Sequence, residues 1–382
     1  MSDPSEPADR VALSIGPVVA VALAVRVLLL LATDRVDVDL LRYWKVGTHL
    51  LDVSWNPYQA PRLYPYPPVW MWVEAGGAWL ARASGLSFAL LVRLPVLAAE
   101  LALVALLARM AGRSAAWVYA LHPVSLLVSA CHGQFDAIAM LFVLLALAAQ
   151  RVGRFDRAAL ALSVAIGLKS FPVVLLPLFL LDTPARARVR WALLATGPVA
   201  LSLLPFAWHD PGAVRRELFG YGGVADFGWI AIVRAVRFVA TGALARSEAV
   251  HWTPFVQAAK ALFVIVYAFL VHRWWRAARR PELSAMCLAV LLAFLTLYGA
   301  LSAQYLLWVV PLGLLAVSRE FMAYSAVTML ALFAFYLFLA PGVLRPIAPG
   351  PHAGIEWSIG VCAQWLVTAV WFVQHVRREA GA

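Results

Sequence analysis

The stretch "VALSIGPVVAVALAVRVLLLLAT" (residues 11–33) decides the architecture. As a helix rising about 1.5 Å per residue, it reaches across a hydrocarbon layer of roughly 30 Å. No small-residue cleavage site follows it, so it reads as a retained signal-anchor and not as a signal peptide. Similar runs recur down the chain, which is 63% hydrophobic and 13% charged. A soluble domain is about half apolar and a quarter charged. The expectation is an all-α protein, a polytopic transmembrane helical bundle.

The net charge of +11 has a membrane explanation and implies no nucleic-acid partner. Arg clusters between the apolar runs, such as Arg151/Arg154/Arg157 and Arg273/Arg276/Arg279/Arg280, mark cytoplasmic loops by the positive-inside rule. Pairing the runs between clusters gives about twelve spans with both termini inside. The expected organisation is a tail at 1–10, one transmembrane domain at 11–376 and a tail at 377–382. Its large outer loops are 34–66 and 209–253. Residues 67–84 carry Glu74 and Arg82 and suit a short re-entrant or interfacial helix. Residues 157–182 contain Lys169, Pro172 and Pro177, a broken span of the kind tolerated only beside protein or a water-filled cavity. In the second outer loop, Arg234 and Arg237 on an apolar helix suggest a helix lying at the headgroups. Cys131, Cys287 and Cys362 have neither metal-ligand nor disulfide spacing.

Ionisable groups at membrane depth cost about 2.5–3.5 kcal/mol and so come with a partner or a task. Lys169 suits two roles: holding a phosphate as a compact charge, or pairing with Glu100, which lies mid-span. His132, Gln134 and Asp136 converge around Gly133 between two apolar runs. Gln134 and Asp136 are also placed to cap the helix that follows. In the first outer loop Asp37 and Asp39 precede Tyr43 and Trp44, and on a helix Asp39 and Tyr43 share a face. A carboxylate among aromatic rings just outside the membrane can take a proton from a sugar hydroxyl. The same residues also suit a solvated loop with a belt of interfacial aromatics.

Four segments in order sharpen the choice: "LLRYW…GTHLL…NPY…YPYPPVW" after the Asp pair, "HPVSLLVSACHGQFDAIAMLFVLLAL", "GLKSFPVVLLPLFLL" and "SAQYLLWVVPL". Together, over about residues 34 to 317, they resemble the GT-C superfamily of integral-membrane glycosyltransferases. Within it they resemble most the bacterial polyprenol-phosphate-mannose-dependent mannosyltransferases, relatives of the mannosyltransferase of glycolipid-anchor synthesis. The resemblance implies a GT-C-type bundle with its catalytic acid in the first outer loop, on Asp39 or Asp37. It implies donor- or acceptor-binding roles for Tyr43, Asn56, Tyr58, Tyr66, His132, Gln134, Asp136, Lys169, Gln304 and Tyr305. Gln304 departs from the family, which often has a basic or other polar residue before the Tyr. Arg345, in "APGVLRPIAPG", is a further candidate cation, with interfacial anchoring as its main expected role.

The implied reaction moves a hexose, mannose by the nearest resemblance, from a polyprenyl-phosphate donor to a glycolipid or glycan hydroxyl, with inversion. Membrane lipids are then obligatory partners. No cofactor is expected: a lipid monophosphate lacks the diphosphate that a divalent metal bridges, although Asp-x-Asp is able to bind one. Heavy use of Ala, Leu and Arg with scarce Lys suggests a GC-rich bacterium, hence a plasma-membrane enzyme working on the extracytoplasmic face. The alternative class is a transporter or flippase, which also uses broken helices, but no internal repeat supports it.

Overall fold

A computed structural model describes residues 8–34, 38–220, 222–344, 347–348 and 354–381. Asp37 and Arg345 lie outside the described residues. The described chain is helical, its extended pairing limited to two isolated antiparallel bridges, Val224 with Glu248 and Phe227 with Leu301.

Six helical segments are long and apolar enough to cross a bilayer: Ile15–Ala32, Phe88–Ala111, Ala185–His209, Ala249–Arg276, Arg319–Phe338 and Gly354–Glu379. A seventh is bent by 42° between Arg113–Ala120 and Pro123–Cys131. The expected count of twelve is not reached by length and apolarity. The other expected spans are short or broken, as in Leu283–Leu297, 15 residues, or Phe171–Asp182. The helix Val69–Ser84 is also short, 16 residues, and stops at Gly85 in the left-handed conformation (φ 73°). The break expected within 157–182 is present. Phe155–Leu168 ends, Lys169 is extended, and the chain resumes as a 3-10 turn over Phe171–Leu175.

Because lipid offers no donors or acceptors, buried polar groups must be satisfied within the bundle. Arg26 of the first span reaches Glu100 at 2.8 Å, both side chains essentially unexposed. The same guanidinium donates to Ser125 Oγ (2.8 Å) and to the Ala120 carbonyl (2.6 Å), and Ser125 donates to Glu100 (2.7 Å). The expected Lys169–Glu100 pair therefore does not form. Glu100 faces the first span, where Arg26 already occupies it. The network closes over the bend at residues 121–122, where the helical hydrogen-bond ladder is interrupted.

Close helix contacts carry the first outer loop onto this bundle. A Cβ on Gly47 would meet the Glu74 carbonyl at 2.4 Å, so only glycine lets Val38–Asp52 pack so tightly on Val69–Ser84. The bent segment runs through a π-helical turn, Leu126–Cys131, and ends at His132 and Gly133. Gly133 has φ +78°, and a Cβ there would strike the Arg93 side chain at 2.9 Å.

Removing one partner of a buried ion pair leaves an uncompensated charge, worth about 3–5 kcal/mol. Arg26→Met alone should therefore lower the melting midpoint of the detergent-solubilised protein sharply. The double replacement Arg26→Met with Glu100→Leu should recover most of the loss. Equal midpoints for the single and double variants would show that the pair is not what holds these helices.

Candidate active site

Asp39 stands in the first turn of Val38–Asp52, where the partial positive charge of the helix start favours an anion. Its Oδ2 takes two contacts. Gln134 Nε2 donates at 2.6 Å and His132 Nε2 lies at 3.0 Å. Four residues on and on the same face, Tyr43 donates its hydroxyl to Gln134 Oε1 at 2.9 Å. A hydroxyl donating to the amide oxygen fixes which end of the amide is nitrogen. Tyr43 thus aims the Gln134 N–H at Asp39, and the shared face expected from the sequence grips one amide from both ends. The expected helix cap does not form, because Gln134 is engaged by Asp39 and Tyr43.

His132 is fixed from its other side, with Nδ1 3.0 Å from the hydroxyl of Tyr336. With a proton on Nε2, the ring donates to Asp39. Burial by itself would raise the Asp39 pKa. The hydrogen bond from His132 and the positive charges of His132, Arg42 and Lys169 outweigh it, bringing the carboxyl below its usual value of 3.8. Asp39 is therefore an anion throughout the neutral range, ready to accept a proton.

Behind this layer lies a second one. Asp136 Oδ2 is 3.0 Å from Lys169 Nζ, and Trp308 Nε1 donates to Asp136 Oδ1 at 2.7 Å. The ammonium also sits over the rings of Phe135 (4.0 Å) and Tyr66 (4.4 Å). Asp136 is consequently an ion-pair partner, and no side-chain cap is made at the start of its helix. Asn56 accepts from the Tyr58 amide (3.2 Å) to shape the Asn-Pro-Tyr turn, and Tyr58 donates to the Tyr66 carbonyl (2.7 Å). Tyr305 is stacked on Trp308, centroids 4.3 Å apart.

In front of Asp39 opens a cavity of about 790 Å³, whose wall includes Asp39, Tyr66, His132 and Gln304. It also includes Arg234 and four charged groups that sequence reasoning passed over, Arg42, Asp226, Arg246 and Glu248. Arg42 had a legible signal, since three residues after Asp39 it shares the same helical face. Arg234 departs from its expected place at the headgroups. It is buried, donates to the carbonyls of Ala225 and Ala245 (3.0 Å for the latter) and lies 3.8 Å from Asp226. A second cavity of about 570 Å³ adjoins the first at Arg42, Val224 and Glu248, and is further lined by Arg62, Arg216 and Lys260. Among the described residues there is no group of three or more His, Cys, Asp or Glu side chains able to hold a metal ion.

Two adjoining cavities, one of them walled by an ionised, rigidly held carboxylate, suit a reaction between two substrates. The model of glycosyltransferase family 87 matches residues 64–297, more than half of the chain. The chain belongs to glycosyltransferase family 87. The sequence-based resemblance to integral-membrane glycosyltransferases therefore holds, and a family-87 chain is placed with enzymes of glycosyl transfer, not with transporters. Among solved structures, the family-87 chain is similar to ArnT from Cupriavidus metallidurans bound to undecaprenyl phosphate. The identity is 16% over 96% of this chain and 78% of that one, at a TM-score of 0.46. So loose a likeness assigns no residue a role. No curated protein matches the sequence.

The Gln134 clamp makes a pH prediction. Gln134→Glu would set a second carboxylate against Asp39, and two such groups cannot both ionise at ordinary cost, so one pKa rises strongly. The acid limb of sugar transfer should move upward by about one unit or more relative to wild type. An unmoved pH–rate profile in a folded Gln134→Glu protein would show that Asp39 titration does not govern transfer.

Proposed function

We propose that this family-87 enzyme transfers a hexose, mannose being the best-supported choice, from a polyprenyl-phosphate carrier to a hydroxyl of a glycolipid or glycan. The observation that carries the reading is Asp39: an anion in the cavity wall, with one oxygen held by His132 and Gln134. The mannosyl donor and the GT-C-type mechanism rest on the motif resemblance, and the bundle of apolar helices supports a carrier that lives in lipid.

The reaction is a single displacement. Asp39 takes the proton of the acceptor hydroxyl as its oxygen attacks the anomeric carbon, and the bond from that carbon to the phosphate oxygen breaks. Polyprenyl phosphate leaves from the opposite face, so configuration inverts. Charge on the departing phosphate grows in the transition state, and cations fixed nearby lower the barrier. Arg42 and Arg246, which line the cavity, are better placed for this than Lys169, whose ammonium is committed to Asp136. Donor and acceptor would occupy the two adjoining cavities, with Arg42 in the wall of both. The site faces the extracytoplasmic side of a bacterial plasma membrane in this reading, as the Arg distribution between the spans suggests.

A general base contributes typically 10²–10⁴-fold. Asp39→Asn should leave expression and melting behaviour near wild type while cutting transfer by at least about a hundredfold. The assay uses purified protein in lipid nanodiscs with radiolabelled polyprenyl-phosphate mannose and a glycolipid acceptor. Near-wild-type transfer by Asp39→Asn would remove the assigned base. Exhaustive chelation should leave the wild-type rate unchanged, since the proposed leaving group is a monophosphate; loss of activity restored by a divalent ion would overturn that part.

A further inference from the structure

Asp226 is a carboxylate that the reaction scheme above does not use. It sits at a short turn whose two sides are pinned. Ala225 donates its amide to the Ser247 carbonyl (2.7 Å), and Phe227 exchanges hydrogen bonds with Leu301 (2.8 and 3.2 Å). Arg234 ties the same turn to the 245 loop through the Ala225 and Ala245 carbonyls. The side chain is only 18% exposed, and that exposure is to the cavity it shares with Asp39.

What sets Asp226 apart is its lack of donors among the described residues. An ionised carboxylate has about four acceptor sites. Among the described residues no N–H or O–H group hydrogen-bonds to it, and Arg234, its nearest cation, stays at 3.8 Å. Asp39 already has two partners on one oxygen, and Glu248 is 64% exposed and faces His251. Asp226 is thus a rigid, largely buried acceptor awaiting donors from whatever fills the cavity. A hexose presents a set of hydroxyl donors at fixed spacing.

We propose that Asp226 binds a hydroxyl of the transferred sugar and so sets which sugar this enzyme accepts. The inference rests on the glycosyl-transfer reading above and deepens it. It makes Asp226 a substrate-contacting specificity residue, with Arg234 as the residue that positions it. Burial pushes the Asp226 carboxyl up to about 7 against the pull of Arg234; Asp39 and Glu248 raise it and His132 lowers it. As pH rises through that value the group becomes a better acceptor, so donor binding should tighten.

The test compares wild type, Asp226→Asn and Asp226→Ser, each full length in nanodiscs, on polyprenyl-phosphate mannose and its monodeoxy analogues. In wild type one deoxy donor should lose about tenfold or more in kcat/KM, because a site built to bond a hydroxyl rejects the analogue lacking it. That penalty should vanish in the Asp226 variants. With the full sugar their donor KM should rise about tenfold while kcat stays within about threefold, as expected for lost binding of ground and transition state alike. The wild-type donor KM should fall between pH 6 and 8 (roughly a unit either side of the carboxyl's titration), a trend absent from Asp226→Asn. Identical deoxy penalties in wild type and both variants would overturn this inference alone. Should the variants not fold, a wild type indifferent to every deoxy donor would overturn it, and a single penalised donor with the pH trend would uphold it. A wild type inert toward every polyprenyl-phosphate sugar would overturn the donor reading and this inference with it.

Discussion

An ammonium and a carboxylate 3.0 Å apart, Lys169 and Asp136, hold the centre of this protein together. Three interruptions of helix meet there. One lies at residues 132–135, between the π-helical turn and the next helix. A second is the extended residue at Lys169 itself. The third is the 3-10 turn that ends at Trp308, whose indole donates to Asp136. Each break frees backbone groups and would be costly in lipid. Phe171 stacks on Trp308 at 3.7 Å, and the rings of Phe135 and Tyr66 cover the ammonium. The pair is shielded from water on every side named, so loss of either member would leave the other charge buried and uncompensated.

Because Gln134 lies two residues before Asp136, the position of its amide is inherited from that pair. The line of transmission is short: ion pair, turn, amide, carboxylate. Tyr43 closes it from the opposite direction, since its ring packs edge-on against both Trp70 and Phe135 while its hydroxyl orients the amide. Rigid aromatic walls behind a polar clamp are what a preorganised acid–base site requires. The cost of ordering these groups is met in folding, leaving little to reorganise when substrates arrive.

Much of this was legible in the residues. The apolar runs announced a helical membrane bundle, the prolines around Lys169 announced a broken span, and the spacing of Asp39 and Tyr43 announced a shared face. Order of segments, more than any one of them, announced the family. The partners of buried charges were harder to read. Arg26 and Glu100 are separated by two helices, Val38–Asp52 and Val69–Ser84, with a 3-10 turn between them, and nothing local around Glu100 favours Arg26 over Lys169 as its partner. Arg234 shows the same difficulty. Its helix is amphipathic in a way that suits a membrane surface, yet the guanidinium turns inward to two carbonyls and the ring of Trp357. Periodicity gives the face of a helix but not the tertiary neighbour that covers it.

The separation of Arg26 from Glu100 bears on biogenesis. The guanidinium emerges from the ribosome 74 residues ahead of its counter-charge. For that interval the opening segment is a helix with an unmatched cation, carried by the leucines around it. The cation gains its counter-charge only once the segment containing Glu100 has been made, so until then the apolar residues around it must carry its cost in the bilayer alone.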